Sequence, residues 1–142
     1  MIELDTYDLY VNNADQMERA MPVISREFAV EFAHRWIEAW NQHDLDAVLS
    51  HYTEDFTFSS SFVTTIAEEP SGVLHGKTAV RAYWRKGLER IPDLHFDLND
   101  VLTGVDCLTL YYLGHRGMAA ESFFFDKSGK VKASHACYTI QP

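Results

Sequence analysis

Hydrophobic residues recur at helical spacing in three stretches of the chain. After Ser25, which is placed to cap a helix, apolar side chains recur at i, i+4, i+7 and i+8 as far as Trp40. A shorter stretch of the same kind predicts a helix over residues 45–50. A third predicts a helix from about Lys77 to Arg90, which ends at Pro92 because proline cannot continue it. We therefore expect three principal helices.

Strand patterns occupy most of the remaining chain. Aromatic residues alternate with serine and threonine over residues 56–62, which is the period of a half-buried strand. The segment 63–75 has no period and predicts a loop. Three glycine-containing turns separate four further predicted strands, at residues 94–102, 107–114, 118–126 and 130–140. This order predicts an α+β fold in which about three helices pack on a curved antiparallel sheet, with a cavity between the two layers.

Composition indicates one folded domain with an N-terminal extension. The 142 residues are 46% hydrophobic and 13% aromatic, which is enough to bury one core. Residues 1–24 are acidic and carry Pro22 near their end, so we expect an arm, with a short helix over residues 14–21. Residues 25–142 form the predicted α+β domain.

Charge narrows the class of partner. The chain has 12 Lys and Arg against 21 Asp and Glu, and this net charge of −9 argues against nucleic acid and anionic membranes. It favours a neutral or cationic small ligand. No apolar run reaches the roughly 18 residues of a membrane span, and the acidic first ten residues are unlike a signal peptide. Cys107 and Cys137 lack CxxC spacing, so we expect free thiols in a cytoplasmic protein.

The last predicted hairpin places a carboxylate opposite an imidazole. Its turn, residues 126–130, suits a three-residue loop closed by a glycine in the left-handed conformation. That register sets Phe123 opposite Ala133 and, two residues further, Glu121 opposite His135 on the core-directed face. Burial and pairing would tune both groups for proton transfer near neutral pH, so Glu121 and His135 are the candidate catalytic residues. The alternative is a cross-strand pair that satisfies only its own hydrogen bonds.

Large aromatic residues from different elements share inward positions. They are the candidate ligand-binding residues, and their tyrosine hydroxyls would orient a ligand. The alternative is that the rings fill the core. These candidates are Trp40, Tyr52, Phe58, Trp84, Tyr112, Phe123 and Tyr138.

Other chemistries lack their motifs. The segment Gly72 to Thr78 has one residue too few between its glycines for a phosphate-binding loop, and Ser71 stands where the first glycine belongs. The histidines form no HxH or HExxH pair, and residues 59–61 lack the Gly-x-Ser-x-Gly elbow of a nucleophilic serine. We therefore predict no metal and no cofactor.

Four short segments carry a family resemblance: Trp40-Asn41-x-His43-Asp44, Tyr52-Thr53-Glu54-Asp55, His75-Gly76-Lys77 and Phe125-Asp126-Lys127-Ser128-Gly129-Lys130-Val131. On these segments the chain from Phe28 to Tyr138 resembles the SnoaL-like branch of the nuclear transport factor 2-like superfamily. The resemblance implies a cone-shaped α+β domain that holds a small, often hydrophobic molecule, with His75 at the rim of its pocket.

The resemblance does not select a reaction. Similar domains include polyketide cyclases, ketosteroid isomerase, scytalone dehydratase, limonene epoxide hydrolase and noncatalytic binding modules. The Arg-x-Asp of the epoxide hydrolases is missing from residues 108–113, and the aspartate of the isomerases is missing from residues 58–61.

Two functions stay open on these grounds. The first is an enzyme that transfers a proton on a small hydrophobic carbonyl compound. In it His135 would be the acid or base, Glu121 would orient it, and Tyr52 or Tyr138 would polarise an oxygen. The second is a noncatalytic ligand-binding or structural dimer.

The outer face of the predicted sheet favours a homodimer. Successive side chains of a strand point to opposite faces, so Phe124 lies on the side away from the core, where Tyr111 and Leu113 add apolar surface. An apolar patch of this kind is typical of an interface between two copies.

Overall fold

Four helices occur in the computed structural model, which describes residues 24–140. They are α1 (Arg26–Asn41), α2 (Leu45–Leu49), α3 (Val63–Ile66) and α4 (Gly76–Arg90). The three principal helices agree with the sequence prediction, whereas α3 lies in the segment predicted to be a loop. The N-terminal arm and its short helix lie outside the described residues.

Side-chain caps explain where the first two helices begin. The Ser25 hydroxyl accepts a hydrogen bond from the backbone N–H of Phe28 at 3.1 Å, and the Asp44 carboxylate accepts one from Ala47 at 3.0 Å. Each bond satisfies a donor that has no partner within the helix. The apolar stripe of α1 is buried, as its spacing predicts.

Six strands form a single curved sheet in the order β2-β1-β6-β5-β4-β3. Strands β3 to β6 are an antiparallel meander, as predicted, and the α+β fold with a curved sheet is confirmed. The strands are β1 (Tyr52–Ser59), β2 (Val73–His75), β3 (Asp97–Thr103), β4 (Cys107–Gly114), β5 (Gly117–Phe125) and β6 (Val131–Tyr138).

One pairing departs from the antiparallel pattern. Strand β1 runs parallel to β6, with Phe58 opposite Ser134 and Ser59 opposite His135. Parallel neighbours need a long connection, and here six elements separate the two strands along the chain. β1 also begins earlier than predicted and ends at Ser59, so Phe62 lies beside α3 rather than in the strand.

A β-bulge changes the register of the last hairpin. Phe125 pairs with Val131 as predicted, but Phe124 pairs with Ala133, which leaves Lys132 as an extra residue on β6. Because side chains alternate, this extra residue moves every later side chain of β6 to the opposite face. Phe123 therefore lies opposite Ser134 rather than Ala133, and Glu121 lies opposite Ala136.

The predicted pairing of Glu121 with His135 is wrong for this reason. His135 lies opposite Ser122 and is exposed, whereas Glu121 is buried. The turn itself has the predicted form, because Gly129 has φ +83° and the backbone N–H of Asp126 donates to the Lys130 carbonyl at 2.8 Å. The turn was predicted correctly and the strand after it was not.

The outer face of the sheet exposes apolar side chains. Tyr111 and Leu113 of β4 are 40% and 45% exposed, and Phe124 of β5 is half-buried. This placement is the one on which the homodimer was predicted, and the dimer stays a prediction. No helix among residues 24–140 is long and apolar enough to cross a membrane.

Candidate binding cavity

A cavity of about 330 Å³ lies between the inner face of the sheet and helices α1 and α4. It has the volume of a small-molecule site. Its walls are mainly aromatic, and they include Trp36, Trp40 and Trp84, the three tryptophans of the chain. The other lining residues on which the argument rests are Phe58, Tyr83, Gly87, Phe96, Tyr112, Glu121 and Tyr138.

The aromatic walls are held by contacts between rings. Trp36 packs on Phe96 with ring centroids 5.8 Å apart, and Trp40 packs edge-on against Trp84 at 5.1 Å. Phe96 also contacts the ring of Tyr112 at 4.6 Å. Because each ring is braced by another element, the cavity has fixed walls rather than loose side chains.

The end of α1 fixes the segment that carries Phe96. The Asn41 amide donates to the Phe96 carbonyl at 3.0 Å and accepts from the Phe96 N–H at 2.7 Å. His43 makes a 2.8 Å hydrogen bond to the Leu94 carbonyl. Asn41 and His43 therefore attach the chain before β3 to α1, and this attachment places Phe96 in the cavity wall.

One carboxyl group lies inside the cavity. Glu121 of β5 is 5% exposed, and burial raises the pKa of its side chain to about 8. The Tyr112 hydroxyl donates a hydrogen bond to it at 3.4 Å, which opposes the rise in pKa without cancelling it. No ion pair of the described residues involves Glu121. The group is therefore a neutral carboxylic acid at pH 7.

Two further hydroxyls belong to the polar part of the cavity wall. The Tyr138 hydroxyl forms a 2.8 Å hydrogen bond with the hydroxyl of Ser60, and burial raises the pKa of Tyr138. Burial and the neighbouring Glu121 raise the pKa of Tyr112 well above its usual range. Both phenols therefore stay protonated at neutral pH. The single O–H of Tyr112 is donated to Glu121, whereas either oxygen of the Tyr138–Ser60 pair can be the donor.

A buried donor beside the cavity has no partner among residues 24–140. The indole N–H of Trp40 lacks a hydrogen bond, whereas that of Trp36 donates to the Tyr52 hydroxyl at 3.0 Å. Buried polar groups without partners are uncommon and cost free energy.

Six of the candidate site residues line this cavity. Five are predicted ligand-binding residues and the sixth is one of the two predicted catalytic residues. They are Trp40, Phe58, Trp84, Tyr112, Tyr138 and Glu121.

The other four candidates lie elsewhere. Tyr52 and Phe123 are buried in the core behind the cavity wall, where the Tyr52 hydroxyl accepts from Trp36 and Phe123 packs on Trp36 at 5.2 Å. His75 is exposed and directly precedes α4. His135 is on the outer face, where its Nδ1 is hydrogen-bonded to the Ser59 hydroxyl.

Sequence reasoning missed several lining residues. Trp36 lies on the recognised apolar stripe of α1, so its spacing could have identified it. Phe96 precedes β3, and only its attachment to α1 brings it into the wall. Arg90, His115 and Arg116 also line the cavity, although Arg90 was predicted only as the end of a helix and residues 115–116 only as part of a turn.

The described part of the chain contains no cluster of side chains that could bind a metal ion. Among residues 24–140, no three His, Cys, Asp or Glu side chains come close enough together to hold a metal ion. Cys107 and Cys137 are free thiols there.

The curved sheet, the helices on its inner face and the aromatic cavity between them define a nuclear transport factor 2-like domain. Within that class, this chain belongs to the SnoaL-like domain family, whose sequence model matches residues 33–132. No curated protein matches the chain.

Several solved structures have a fold similar to that of this chain. A SnoaL-like protein of unknown function from Burkholderia thailandensis is 47% identical, with a TM-score of 0.80 over 83% of this chain and 99% of its own. AclR, a putative hydroxylase from Streptomyces galilaeus, is 18% identical, with a TM-score of 0.61 over 83% of this chain and 93% of its own. TerC, co-crystallised with polyporic acid, is 11% identical, with a TM-score of 0.66 over 79% and 92%. The last two similarities concern the fold alone.

Proposed function

We propose that this SnoaL-like domain binds a small, largely aromatic molecule in the cavity between α1, α4 and the sheet. The observation that carries the proposal is a cavity of about 330 Å³ whose described lining includes nine Trp, Tyr and Phe rings and one buried carboxylic acid, Glu121. Rings offer broad apolar contact to a planar ligand, and a few fixed polar groups orient it.

The polar groups of the cavity suit a ligand with one oxygen or nitrogen function. The Glu121 carboxyl and the Tyr112 and Tyr138 hydroxyls converge from β4, β5 and β6. SnoaL-like domains generally bind small molecules, and the solved structure of TerC was obtained with polyporic acid. Both facts agree with a small-molecule ligand for this chain.

N-phenyl-1-naphthylamine, a neutral aromatic dye, tests the proposal. Because all three tryptophans line the cavity, the dye should quench tryptophan emission as it binds, with one site per chain. Titration followed by fluorescence and by calorimetry gives the stoichiometry and the affinity.

The outer apolar face supplies the control for this titration. Leu113→Ser removes an exposed apolar side chain on that face and should leave the dissociation constant unchanged. The proposal fails if the dye does not saturate, if tryptophan emission is unaffected, or if Leu113→Ser removes the binding.

A second candidate function is proton transfer on a small carbonyl compound by Glu121. The observation that favours it is a carboxyl group with a pKa of about 8 in the cavity, since an acid or base works best when its pKa lies near the working pH. In this chemistry the ionised fraction of Glu121 takes a proton from the carbon beside the carbonyl and returns a proton to that carbon, while the Tyr138 hydroxyl donates to the carbonyl oxygen. His135 takes no part because it lies on the outer face.

Deuterium exchange tests this second candidate. 2-Tetralone is a small aromatic ketone with exchangeable protons beside its carbonyl, and NMR in D₂O follows their replacement. The wild type should accelerate the exchange and Glu121→Gln should not, while both bind the neutral dye. Equal exchange rates in the two proteins would exclude proton transfer by Glu121.

A further inference from the structure

The exposed part of the cavity wall is basic. Of the residues that line the cavity, three are exposed, and these are Arg90, His115 and Arg116. Exposed lining residues mark the opening, because a ligand must pass from solvent across them. The cavity therefore has an aromatic interior and a basic mouth.

The positive charge at this mouth is opposite in sign to the net charge of the whole chain. Asp and Glu outnumber Lys and Arg by 21 to 12, yet among residues 24–140 Glu121 is the one acidic residue that lines the cavity, and it is buried and neutral. Glu89 and Asp93, the acidic residues nearest to Arg90 in the chain, do not line the cavity. A ligand at the mouth experiences these near charges more than the distant ones, because salt screens exposed charges beyond about 8 Å.

The basic residues come from two sides of the opening. Arg90 is in the last turn of α4, and His115 and Arg116 are in the turn between β4 and β5. The Arg116 guanidinium lies over the ring of Phe62, 4.8 Å from its centroid, and Phe62 itself lines the cavity. This contact holds a positive charge at the boundary between the aromatic wall and solvent.

We propose that the ligand is an amphipathic anion: an aromatic or apolar body that fills the cavity, with a carboxylate, sulfonate or ionised phenol oxygen at the basic mouth. The proposal rests on the proposed function, since it specifies the class of molecule for the same cavity. It revises the expectation drawn from net charge, which favoured a neutral or cationic ligand. Guanidinium groups are suited to carboxylate and sulfonate oxygens because they present several donors in one plane.

Two dyes with the same ring skeleton separate the contribution of the anionic group to binding from that of the rings. 8-Anilinonaphthalene-1-sulfonate carries a sulfonate, and N-phenyl-1-naphthylamine is the same molecule without it. In the Arg90→Gln/Arg116→Gln variant, the dissociation constant of the sulfonate dye should rise about tenfold, because the variant lacks both guanidinium groups that attract the sulfonate at the mouth. The neutral dye should bind the variant and the wild type with affinities within about twofold, because its contacts are with the walls.

Arg85→Gln is the matched control. Arg85 is exposed on the same helix but does not line this cavity. Its replacement removes one positive charge, as Arg90→Gln alone does, and should leave the binding of both dyes unaffected. Raising the salt concentration should weaken binding of the sulfonate dye to the wild type and have little effect on its binding to the double variant. Circular dichroism checks the fold, and Arg90→Gln alone, in the last turn of α4, keeps the test available if the turn at Arg116 is disturbed.

Each outcome has one meaning. The inference is wrong if the double variant binds both dyes more weakly by the same factor, or if its affinity for neither dye changes. It is also wrong if Arg85→Gln has the same effect as the double variant, because the mouth then does not select anions. If the neutral dye fails to bind the wild type, the proposed function itself is wrong.

Discussion

Glu121→Gln should make the protein more stable above pH 5, by an amount that grows as the pH rises. The pKa of Glu121 is about 8 in the folded protein, against 4.5 for the free side chain. Between these values the folded state keeps a proton that the unfolded state releases, so the wild type loses stability as the pH increases, by about 1.4 kcal/mol per pH unit. Glutamine has the same shape and cannot ionise, so the variant lacks this slope.

The size of the effect follows from the two pKa values. From pH 4.5 to pH 8 the wild type loses roughly 5 kcal/mol from this one group, which is 3.5 pH units at about 1.4 kcal/mol each. At pH 7 the ionisation part of the difference is roughly 3 kcal/mol in favour of the variant. Below pH 4.5 both proteins carry a neutral group, and above pH 8 the difference is constant.

Urea unfolding of both proteins at several pH values measures this difference. Glu89→Gln is the control, because Glu89 is exposed and its replacement should leave the pH dependence unchanged. A difference between Glu121→Gln and wild type that stays the same from pH 5 to pH 8 would mean that Glu121 ionises normally. The proton-transfer function would then lose its main support.

Gly87→Leu should weaken binding in the cavity while making the protein more stable. Gly87 lies within α4 and lines the cavity, and a β-carbon added there would meet no atom within 4 Å. We therefore expect the leucine side chain to extend into the empty space of the cavity. In a helix, replacing glycine also stabilises the folded state by about 1 kcal/mol.

The loss of binding follows from the occupied volume. A ligand must either leave or push aside the new methyl groups, which costs about 1–3 kcal/mol or roughly tenfold to a hundredfold in affinity for the neutral dye. Stability and binding then change in opposite directions. A residue that merely supported the fold would not produce this result.

Gly87→Ala is the matched variant. It has the same helix effect but adds only one carbon, so it should gain stability and retain most of its binding. Thermal unfolding and dye titration on the three proteins give both quantities. Unchanged affinity in Gly87→Leu would place the dye outside this cavity, and reduced stability would mean that the space is already filled.

The origin of the main elements can be traced to local patterns in the sequence. The cap at Ser25, the apolar stripe of α1 and the end of α4 near Pro92 are all local signals, and the structure follows them. Strand β4 has the predicted bounds, Cys107–Gly114. Local signals succeed here because helix periods, caps and turns depend on residues close together in the chain.

The candidate site was predicted in part. Trp40, Phe58, Trp84 and Tyr112 line the cavity because each is inward in its own element and the elements meet. The side chains of Tyr52 and Phe123 also face the core, but they are packed behind the wall of the cavity. Periodicity shows which side of an element is buried; it does not show whether the buried side chain faces a cavity or another side chain.

The tertiary structure alone decided the position of His135 and the character of the cavity mouth. One extra residue at the bulge, Lys132, moved His135 to the outer face, because alternation along a strand converts a shift of one residue into a change of side. Glu121 kept its inward place since the meander of β4 and β5 has no such shift. The sequence by itself determined the three principal helices, the meander and the aromatic interior, whose signals are local. The register of β6 and the meeting of Arg90 with the turn at Arg116 depend on contacts between distant segments, which no local pattern specifies.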